Sequence, residues 1–383
     1  MKLASPQEQK QAGTTRHIRG AVLETTSASR PYAQSRPLVL DEIELEAPGP
    51  GEILVRIEAA GICHSDLSVI NGNRPRPMPM LLGHEAAGII EETGTGVTGL
   101  AVGQRVVMTF LPRCGSCTGC RSNGRTPCLE GSMSNGQGTL LGGQCRLSRK
   151  GQTLNHHLGV SAFASHAVVS QHSVVPVAED VPPHIAALFG CALLTGGGAV
   201  VNVAKPTANT TLAIVGLGGV GAAALITAKA IGVQSVTAID ALQAKLETGL
   251  RLGANEALTS EEALGSGRKY DAVIEAAGHP KALEAAVALT APGGITVTVG
   301  LPAPGQHTTI DPLTLTAEAR SIVGSYLGSA VPSHDIPIYE ELWRSGRLSV
   351  EGLVSDTITL DAINLAMDTL DAGTALRQII TFP

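Results

Sequence analysis

The sequence predicts an α/β protein in which a doubly wound parallel sheet is inserted into a β-rich region. Short runs rich in Val and Ile, bounded by Gly and Pro, dominate the first half and are typical of β-strands. From about Thr195, strand-like runs alternate with helical runs that end in Gly, and the last fifty residues return to mixed strand and helix. Strand–helix alternation with short loops favours a parallel sheet with helices on both faces.

The predicted elements follow one another in a regular order. In the first half, GEILVRIEAAGIC (51–63) and GQRVVMTF (103–110) are predicted strands. In the second half the predicted strands are TLAIV (211–215), SVTAI (235–239), YDAVIEA (270–276) and GGITVTVG (293–300), and the predicted helices are AAALITAKAIG (222–232), ALQAKLETGLRLG (241–253) and 280–290. Each of these helices lies between two strands, as the strand–helix–strand unit requires.

Composition limits the classes of protein to consider. The 383 residues exceed one ordinary core, so we expect two domains, and with 2% aromatic residues their cores must consist of Val, Ile, Leu and Ala. The net charge of −6 gives no electrostatic reason to expect a nucleic-acid partner. We expect no membrane span, because no apolar run reaches the required length. Residues 1–17 are polar and lack a secretion signal, so we interpret them as an extension and expect a cytoplasmic protein.

The segment GLGGVG (216–221) follows a predicted strand and opens a predicted helix, where this glycine spacing indicates a dinucleotide site. Gly216 permits the tight turn, Gly218 lets the backbone approach a pyrophosphate, and Gly221 lets helix and strand pack closely. Asp240 ends the next strand, where its carboxylate can bind ribose hydroxyls and would repel a 2′-phosphate. The pattern favours NAD over NADP. The alternative is a glycine-rich loop without a ligand.

A short polar segment, RCGSCTGCRSNGRTPC, holds four of the seven cysteines, Cys114, Cys117, Cys120 and Cys128. Four thiolates at the spacing C-x2-C-x2-C-x7-C can surround Zn²⁺ and leave no open coordination position, so such a site would be structural. Two disulfides, a redox Cys-x-x-Cys pair and an iron–sulfur cluster are the alternatives. Because a cytoplasmic protein uses clustered cysteines for metal more often than for disulfides, we prefer zinc.

A second metal site is suggested by residues that lie far apart in the sequence. Cys63 ends the first predicted strand, His84 lies in LLGHEAAG, and Cys191 lies in LFGCALLTGGG. Two cysteines and one histidine, with the fourth position left open, are typical of catalytic zinc. Taken singly, each cysteine could be a small buried hydrophobic residue, and His84 a core histidine. Spacing alone cannot connect them.

Five motifs occur in the order found in a known family. They are GICHSD (61–66), GHEAAG (83–88), the four-cysteine segment, GC with TG shortly after it (190–196), and GLGGVG (216–221). In this order the chain resembles the zinc-dependent medium-chain alcohol dehydrogenases, from about Arg19 to Phe382. HHLGVSAFASHAVV (156–169) and the long stretch before it resemble the liver-type, class III-like branch in particular, which implies a homodimer.

The resemblance implies a division into domains. A β-rich, GroES-like catalytic domain would consist of residues 1–194 and 328–383, with a structural-zinc lobe at 113–129. A Rossmann NAD-binding domain would occupy residues 195–327. The substrate would lie in the cleft between them.

The resemblance also implies roles for individual residues. The catalytic zinc would be held by Cys63, His84 and Cys191, with Glu85 close behind it. Asp66 would bind the ligand His84 and fix its tautomer, and Ser65 would take the proton from the alcohol. The cofactor would contact His64, Thr195, Gly216, Gly218, Gly219, Val220, Gly221, Asp240, Lys245 and Arg377. Glu52 would orient Arg377. The substrate channel would be lined by Phe110, Met133, Phe163 and Leu301.

Three positions depart from the family pattern or have no role in it. Ser68 stands where liver-type relatives place a histidine that passes the proton to solvent. Arg74 stands where relatives often place an apolar residue at the channel mouth, and we hypothesise that it favours a polar or anionic substrate over a neutral one. Its alternative is a solvated loop arginine. Cys145 matches no role and is interpreted as a free thiol.

The resulting prediction is an NAD-dependent zinc alcohol dehydrogenase with two Zn²⁺ per chain. It would transfer hydride reversibly between a small alcohol and NAD⁺, giving an aldehyde or ketone. The enzyme alternatives are a glutathione- or mycothiol-dependent formaldehyde dehydrogenase, and a nicotinoprotein that keeps its NAD bound. An alternative of another class is a non-catalytic dinucleotide-binding protein. No nucleic-acid or membrane partner is expected.

Overall fold

A computed structural model describes residues 14–383 of the chain. Residues 1–13, most of the predicted extension, lie outside this range. The strands are β1 (Arg16–Leu23), β2 (Leu38–Leu45), β3 (Glu52–Gly61), β4 (Met80–Leu81), β5 (Glu85–Thr93), β6 (Arg105–Met108), β7 (Leu147–Arg149), β8 (Gln152–His156), β9 (His166–Ser170), β10 (Val174–Pro176), β11 (Thr211–Val215), β12 (Ser235–Ile239), β13 (Glu256–Leu258), β14 (Tyr270–Glu275), β15 (Thr290–Thr298), β16 (Ser321–Gly324), β17 (Val354–Ile358) and β18 (Arg377–Thr381).

The helices lie between these strands. They are α1 (Tyr32–Ser35), α2 (His64–Ile70), α3 (Thr118–Arg121), α4 (Leu129–Gln137), α5 (Pro183–Leu188), α6 (Leu194–Gly198), α7 (Gly219–Ala230), α8 (Gln243–Arg251), α9 (Ser260–Gly265), α10 (Pro280–Leu289), α11 (Pro312–Ala317), α12 (Pro332–Arg344) and α13 (Ile363–Asp371). The π-helical segment Phe189–Leu193 joins α5 to α6, and a second one, Ala199–Ala204, extends α6, so that 183–204 form one run. Short 3₁₀ turns include Tyr326–Ser329.

Three sheets organise the described part of the chain. Strands β1, β2, β7, β8 and β4 close into a small barrel. A second, largely antiparallel sheet has the order β10-β6-β5-β3-β18-β17, with β9 also paired to β3. The third sheet has six strands in the order β13-β12-β11-β14-β15-β16, and all of its pairs are parallel. The predicted fold class, a doubly wound parallel sheet inserted into a β-rich region, is confirmed.

Helices cover both faces of the parallel sheet. Along β11 alternate side chains point to opposite sides, since the side-chain period of a strand is two. Leu212 and Ile214 pack with α7 residues in one buried apolar group. Ala213 and Val215 pack with residues of α9 and α10 in another. The near-continuous apolar sequence TLAIV is therefore explained by burial on both faces.

The chain returns to the second sheet at its C-terminal end. Strand β18 pairs antiparallel with β3, and β17 pairs parallel with β18. The parallel sheet is therefore an insertion between two parts of the β-rich region. The predicted boundary at 194/195 falls inside the helical run 183–204, and the one at 327/328 falls inside the turn Tyr326–Ser329. The assignment of 1–194 and 328–383 to one domain and 195–327 to another stays a prediction.

The helical run Pro183–Ala204 corrects one expectation from the sequence. Its 22 residues are long and apolar enough to cross a membrane by length and composition, so the statement that no apolar run reaches that length was wrong. In the fold, however, 89% of its most apolar window is buried. The core helix of a soluble protein passes the same test of length and composition as a membrane span. Burial on all sides explains the apolar composition of Pro183–Ala204.

Three glycines in this run let other elements approach its backbone. A Cβ at Gly196 would overlap the carbonyl oxygen of Val220 in α7, and one at Gly198 would overlap that of Gly328. A Cβ at Gly197 would lie 2.8 Å from the Tyr339 hydroxyl in α12. Each glycine therefore faces a different neighbour. This close packing fixes the run, and with it Cys191, against the start of α7.

We predict that Gly196→Ala destabilises the protein by about 1–3 kcal/mol, because the added methyl group must displace the α7 backbone. In a chain of this size each kcal/mol lowers Tm by roughly 2–4 °C, so differential scanning fluorimetry should detect the loss.

Gly136→Ala is the matched control for this substitution. Gly136 is exposed in α4, and a Cβ there would have no neighbour within 4 Å. Its Tm should stay unchanged or rise slightly, since Ala favours helix over Gly. Equal melting temperatures for the two variants would contradict the packing argument.

Candidate active site

The first two predicted ligands come from neighbouring strand ends. Strands β3 and β5 are antiparallel, and Gly61 at the end of β3 pairs with Glu85 at the start of β5. Cys63, two residues beyond Gly61, and His84, directly before β5, therefore lie at the same edge of the sheet. Gly83 has a φ of +94°, which a side chain would strain, and it turns the chain into β5.

The third predicted ligand comes from the long helical run. Cys191 lies in the π-helical segment Phe189–Leu193, where the backbone is wider than in an α-helix. The ligand atoms of Cys63, His84 and Cys191 all lie within 4.8 Å of one another, and all three residues are buried. His84 Nε2 is 3.5 Å from Cys191 Sγ. The fold thus brings together three residues that spacing could not connect.

The chemistry of this donor set suits a zinc ion. Two thiols and one imidazole are borderline-soft ligands, and three protein ligands leave one position open. A hydrogen bond with Cys191 lowers the pKa of Cys63 well below its usual value, and the charges of Arg377 and His84 add to this against the cost of burial. This shift favours the thiolate of Cys63, the form that binds a metal.

Asp66 orients the predicted histidine ligand. Its Oδ1 lies 3.0 Å from Nδ1 of His84, and its Oδ2 accepts a hydrogen bond of 3.1 Å from the backbone N–H of Cys63. Burial alone would raise the pKa of Asp66, but His84 and His157 outweigh it and hold this pKa well below its usual range. The carboxylate therefore keeps the proton of His84 on Nδ1, which leaves Nε2 free to coordinate.

His157 is a residue that the sequence analysis missed. Its Nδ1 lies 3.2 Å from Asp66 Oδ1, and its ring meets that of His84 edge to face with centroids 5.4 Å apart. His157 is buried and lies against the same Asp66 oxygen as His84, so it helps hold this carboxylate in place. Its signal was the pair His156–His157 in the segment 156–169, which was used only for its resemblance to the liver-type branch.

A buried ion pair connects the ligand cluster to the glycine-rich loop. Arg377 Nε lies 3.2 Å from Glu85 Oε2, and Arg377 Nη2 lies 3.7 Å from Cys63 Sγ. A Cβ at Gly219 would overlap the guanidinium of Arg377. Burial raises the pKa of Glu85 to about 7, against the opposing charge of Arg377. Glu85 thus lies beside the ligand cluster, and its predicted role behind the zinc stays a prediction.

One predicted contact is wrong. Glu52 does not orient Arg377, since its Oε2 accepts hydrogen bonds of 2.8 Å from Arg146 Nε and from the Gly49 backbone. Glu52 begins β3, whereas Arg377 meets β3 only near its other end, where β18 pairs with it. The carboxylate that holds Arg377 is therefore Glu85.

The glycine-rich loop has the shape of a phosphate cradle. Gly216 has a φ of +92°, and a Cβ at Gly221 would overlap the Gly216 carbonyl oxygen, so both positions require glycine. A Cβ at Gly218 would meet nothing within 4 Å. This open side faces the N-terminal end of the 12-residue helix α7, where backbone N–H groups favour an anion.

Nitrogen-bearing side chains from three other elements lie near this loop. Burial lowers the pKa of His64, and the charges of Arg377 and Lys245 contribute to the same shift. Lys245 Nζ donates a hydrogen bond of 2.8 Å to the carbonyl oxygen of Ala375, two residues before Arg377. Lys245 and Arg377 thus form a positive pair beside the glycine-rich loop, and the neutral imidazole of His64 adds a hydrogen-bonding group; this combination suits a pyrophosphate.

The remaining predicted cofactor residues lie around the same loop. Asp240 Oδ2 accepts a hydrogen bond of 2.6 Å from Leu217 N–H, which fixes the carboxylate at the ends of β11 and β12. Thr195 is buried next to Gly196, whose Cα lies against the carbonyl of Val220. The structure therefore brings the predicted cofactor residues to one edge of the parallel sheet.

The four clustered cysteines form a separate group. The Sγ atoms of Cys114 and Cys120, and those of Cys117 and Cys128, are 3.9 Å apart. A disulfide would require about 2.05 Å, whereas a zinc–sulfur bond of about 2.3 Å gives a tetrahedron edge of about 3.8 Å. Backbone N–H groups bond the sulfurs, and those of Cys120 and Leu129 lower the pKa of Cys117 to about 6. The set fits a tetrathiolate metal site and excludes disulfides between its members.

An aromatic wall extends from the ligand cluster. Phe110 meets His84 edge to face with centroids 5.8 Å apart, and meets Tyr326 in the same way at 5.7 Å. Leu158 belongs to the same buried apolar group as Cys63, Phe110 and Cys191. Tyr326 and Leu158 were not predicted. Tyr326 lies in a turn after the parallel sheet, and no local signal marked it.

The other predicted channel residues differ in placement. Phe163 is fully buried in the group that contains Met80 and Leu82, whereas Phe110 belongs to the group of Cys63 and Cys191. The backbone N–H of Phe163 donates a hydrogen bond to the carbonyl oxygen of Leu82, and the place of Phe163 in the channel stays a prediction. Met133 and Leu301 are each about half exposed, and their place in the channel stays a prediction. Ser65 and Ser68 are half-buried on α2.

Comparison with known proteins identifies the family. Residues 49–179 match the family described as "Alcohol dehydrogenase GroES-like domain", and residues 219–345 match "Zinc-binding dehydrogenase". The Mycobacterium tuberculosis protein named "Putative alcohol dehydrogenase D" is 35% identical over 379 residues, which cover 93% of this chain and 99% of that protein.

Solved structures are similar over nearly the same length. Benzyl alcohol dehydrogenase from Acinetobacter calcoaceticus is 30% identical with a TM-score of 0.88, covering 96% of this chain and 100% of that one. Acetophenone reductase from Geotrichum candidum, solved in complex with NAD, is 27% identical with a TM-score of 0.77, covering 96% and 97%. The chain belongs to the zinc-dependent alcohol dehydrogenases of the medium-chain dehydrogenase/reductase superfamily.

Proposed function

We propose that this protein is an NAD-dependent zinc alcohol dehydrogenase that interconverts a small alcohol and its aldehyde or ketone. The observation that carries the proposal is the buried set Cys63, His84 and Cys191, joined through Arg377 to a glycine-rich loop. A panel of alcohols and carbonyl compounds, assayed by absorbance with NAD⁺ or NADH, tests it directly. A purified, zinc-loaded protein that oxidises none of them with NAD⁺ would favour the non-catalytic alternative.

In this proposal the chain's residues prepare the alcohol for hydride loss. Zn²⁺ bound by Cys63, His84 and Cys191 supplies Lewis acidity, which lowers the pKa of an alcohol hydroxyl. Asp66 holds the tautomer of His84 that keeps Nε2 free for the metal. Ser65 Oγ receives the alcohol proton and, being half-buried at the start of α2, passes it to solvent. Phe110 and Leu158 exclude water from the reacting carbon.

The cofactor residues act by orientation and charge. NAD⁺ supplies the hydride acceptor, and the protein positions its nicotinamide. Gly218 would receive the pyrophosphate, which Arg377 and His64 would bind. Asp240 would bind the adenosine ribose, with Lys245 beside it. Val220 and Thr195 would position the nicotinamide.

We further propose a cytoplasmic homodimer. All seven cysteines are free, which suits a reducing compartment. Strand β16 pairs only with β15 among the described strands, so the parallel sheet ends in an edge there. Unpaired backbone groups on an edge strand favour pairing with another chain. The exposed side chain of Leu313, in helix α11 just before β16 in the chain, adds apolar surface near this edge.

We predict that the native protein sediments at twice the chain mass of 39.2 kDa. Analytical ultracentrifugation across a dilution series measures this. A single species at the mass of one chain would contradict the dimer, and one at four times that mass would replace it with a tetramer.

We predict two zinc ions per chain by plasma mass spectrometry. Cys63→Ser should retain one zinc and lose roughly 1000-fold in kcat, since several kcal/mol of charge stabilisation depend on the metal. Cys117→Ser should also lose one zinc, but with a lower Tm, because the metal replaces a core in that segment.

Cys145→Ser is the matched control for both variants. Cys145 lies outside both cysteine groups, and burial raises its pKa, which disfavours the metal-binding thiolate. This variant should keep two zinc ions and full activity. Loss of zinc from it, or two zinc ions in Cys63→Ser, would contradict the assignment of ligands.

We predict that Asp240→Asn raises the ratio of kcat/KM with NADP⁺ to that with NAD⁺ by at least about tenfold. Removing the carboxylate ends its repulsion of a 2′-phosphate, and tenfold corresponds to about 1.4 kcal/mol. Steady-state kinetics with both cofactors measure the ratio.

Asp271→Asn serves as the control for Asp240→Asn. Asp271 lies at the opposite end of the parallel sheet, where its Oδ2 accepts hydrogen bonds from the N–H and hydroxyl of Thr211. Its loss can lower Tm but should leave the cofactor ratio unchanged. An unchanged ratio in Asp240→Asn would show that another group selects the cofactor.

A further inference from the structure

The loop between α2 and β4 carries two arginines without partners. Among the partly buried arginines of residues 14–383, Arg74 and Arg76 are the two whose side chains neither donate a hydrogen bond nor pair with a carboxylate. Arg76 Nε is fully shielded from solvent and has no acceptor. Most other partly buried arginines bind a carboxylate or a carbonyl oxygen, as Arg105 and Arg146 do. A shielded nitrogen without an acceptor is costly, and an anion from outside the chain could pair with this partly exposed guanidinium.

The loop that carries these arginines is held at both ends. The backbone N–H of Arg74 donates a hydrogen bond of 2.7 Å to the carbonyl oxygen of Ser68, and the side chain of Asn155 donates one of 2.8 Å to that of Pro79. Pro75 and Pro77 flank Arg76. The proline rings fix their own φ angles, and Pro77 also restricts the backbone of Arg76, the residue before it. The guanidinium is therefore presented by a pre-organised segment.

The position of Arg76 relates it to the substrate end of the site. Tyr326 contacts Phe110 of the aromatic wall, and its hydroxyl is close enough to both arginines and to Cys191 to feel their charges. Burial raises its pKa, while the charges of Arg76 and Arg74 lower it and Cys191 raises it further. The aromatic wall runs from His84 through Phe110 to Tyr326 in two edge-to-face contacts of 5.8 and 5.7 Å. The charge of Arg76 acts both on Tyr326 and on His157, so Arg76 lies near the Tyr326 end of this wall.

The charges around Arg76 give it no internal counter-ion. Burial lowers the pKa of Arg76, the Tyr326 hydroxyl opposes this, and the like charge of Arg74 lowers it further. Its charge also contributes to the lowered pKa of His157, for which burial is the main cause. The nearby carboxylate, Asp66, already binds His84 and His157. An anionic group on a substrate would relieve this unbalanced positive charge.

We propose that Arg76, supported by Arg74, selects alcohols that carry an anionic group at the end remote from the reacting hydroxyl. The substrate class is then a hydroxy acid or a phosphorylated alcohol, with an apolar body along Phe110 and Tyr326. This inference deepens the proposed function and rests on it. From the sequence, the preference for an anionic substrate was assigned to Arg74. We now assign it chiefly to Arg76, because Arg76 is the residue whose Nε is shielded and unpaired.

The guanidinium geometry favours a planar, bidentate anion. Arg presents parallel N–H donors that match a carboxylate, and such bonds are stronger than neutral ones. Binding energy at this end serves mainly to hold and orient the substrate, so it should act chiefly on KM. Matched substrates that differ only in charge can therefore isolate it.

The experiment compares benzyl alcohol with 4-(hydroxymethyl)benzoate, and 1-butanol with 4-hydroxybutanoate and 4-hydroxybutyl phosphate. In the wild-type protein we expect kcat/KM to be at least about tenfold higher for an anionic member than for its neutral partner, mostly through KM, since tenfold corresponds to a single charge-assisted contact. Arg76→Met should lower the anionic value by about 10- to 100-fold and leave the neutral value within about threefold. Arg76→Lys should retain part of the preference.

Arg36→Met is the matched control. Arg36 lies in the β-rich part of the chain, and its exposed side chain forms no ion pair among the described residues. It should change neither value. Preference for the phosphate over the carboxylate would assign the anion as phosphate. Equal selectivity in wild type and in folded Arg76→Met would overturn the proposal.

A measurement on the unmutated protein covers the case in which Arg76→Met fails to fold. The kcat/KM of the anionic substrate should fall as the NaCl concentration rises from about 20 to 500 mM, while the kcat/KM of the neutral substrate should stay constant. This range is chosen because the screening length, about 10 Å at 0.1 M, is well below that value at the upper concentration. Parallel curves for the two substrates would contradict the proposal. Oxidation of neutral alcohols without anion preference would leave the proposed function standing, whereas oxidation of neither class would remove both.

Discussion

The buried pair of Arg377 and Glu85 is the contact on which the arrangement of the site depends. A guanidinium that is 2% exposed must be balanced, and it is balanced by Glu85 at 3.2 Å and by the Cys63 sulfur at 3.7 Å. The same guanidinium lies against Gly219, where any Cβ would overlap it. One side chain thus fixes the separation between the metal ligands and the cofactor loop. Hydride transfer needs such a fixed separation, since reacting atoms must approach within about 3–3.5 Å.

A second buried charge organises the metal side of the cleft. The carboxylate of Asp66 accepts a hydrogen bond from the N–H of Cys63 at the start of α2. The same carboxylate also pairs with two imidazoles, those of His84 and His157. One buried carboxylate therefore both caps helix α2 and orients the predicted ligand His84. The aromatic wall beyond it is neutral as far as Tyr326, and the unpaired cation of Arg76 follows. Such a gradient from metal to cation suits a substrate with an oxygen at one end and an anion at the other.

Much of the fold could be predicted from local sequence. TLAIV and SVTAI form strands with the predicted bounds, and the helix predicted over 280–290 is observed as Pro280–Leu289, because each has a strong period and a clear end signal. The apolar run 183–204 was misjudged, because burial inside a protein and burial in lipid select the same residues. The partner of Arg377 was misjudged as well, since the pairing of β18 with β3 decides which carboxylate it meets.

The sequence by itself determined the glycine turn of the cofactor loop and the four-cysteine group, since both are local and their spacing carries the chemistry. Only the tertiary structure decided what joins Cys63, His84 and Cys191, which lie up to 128 residues apart and meet because two antiparallel strands and a buried helix converge. It likewise added His157, Leu158 and Tyr326 and distinguished Arg76 from Arg74. The physical reason is that burial and pairing of a charge depend on neighbours distant in sequence, which no local pattern records.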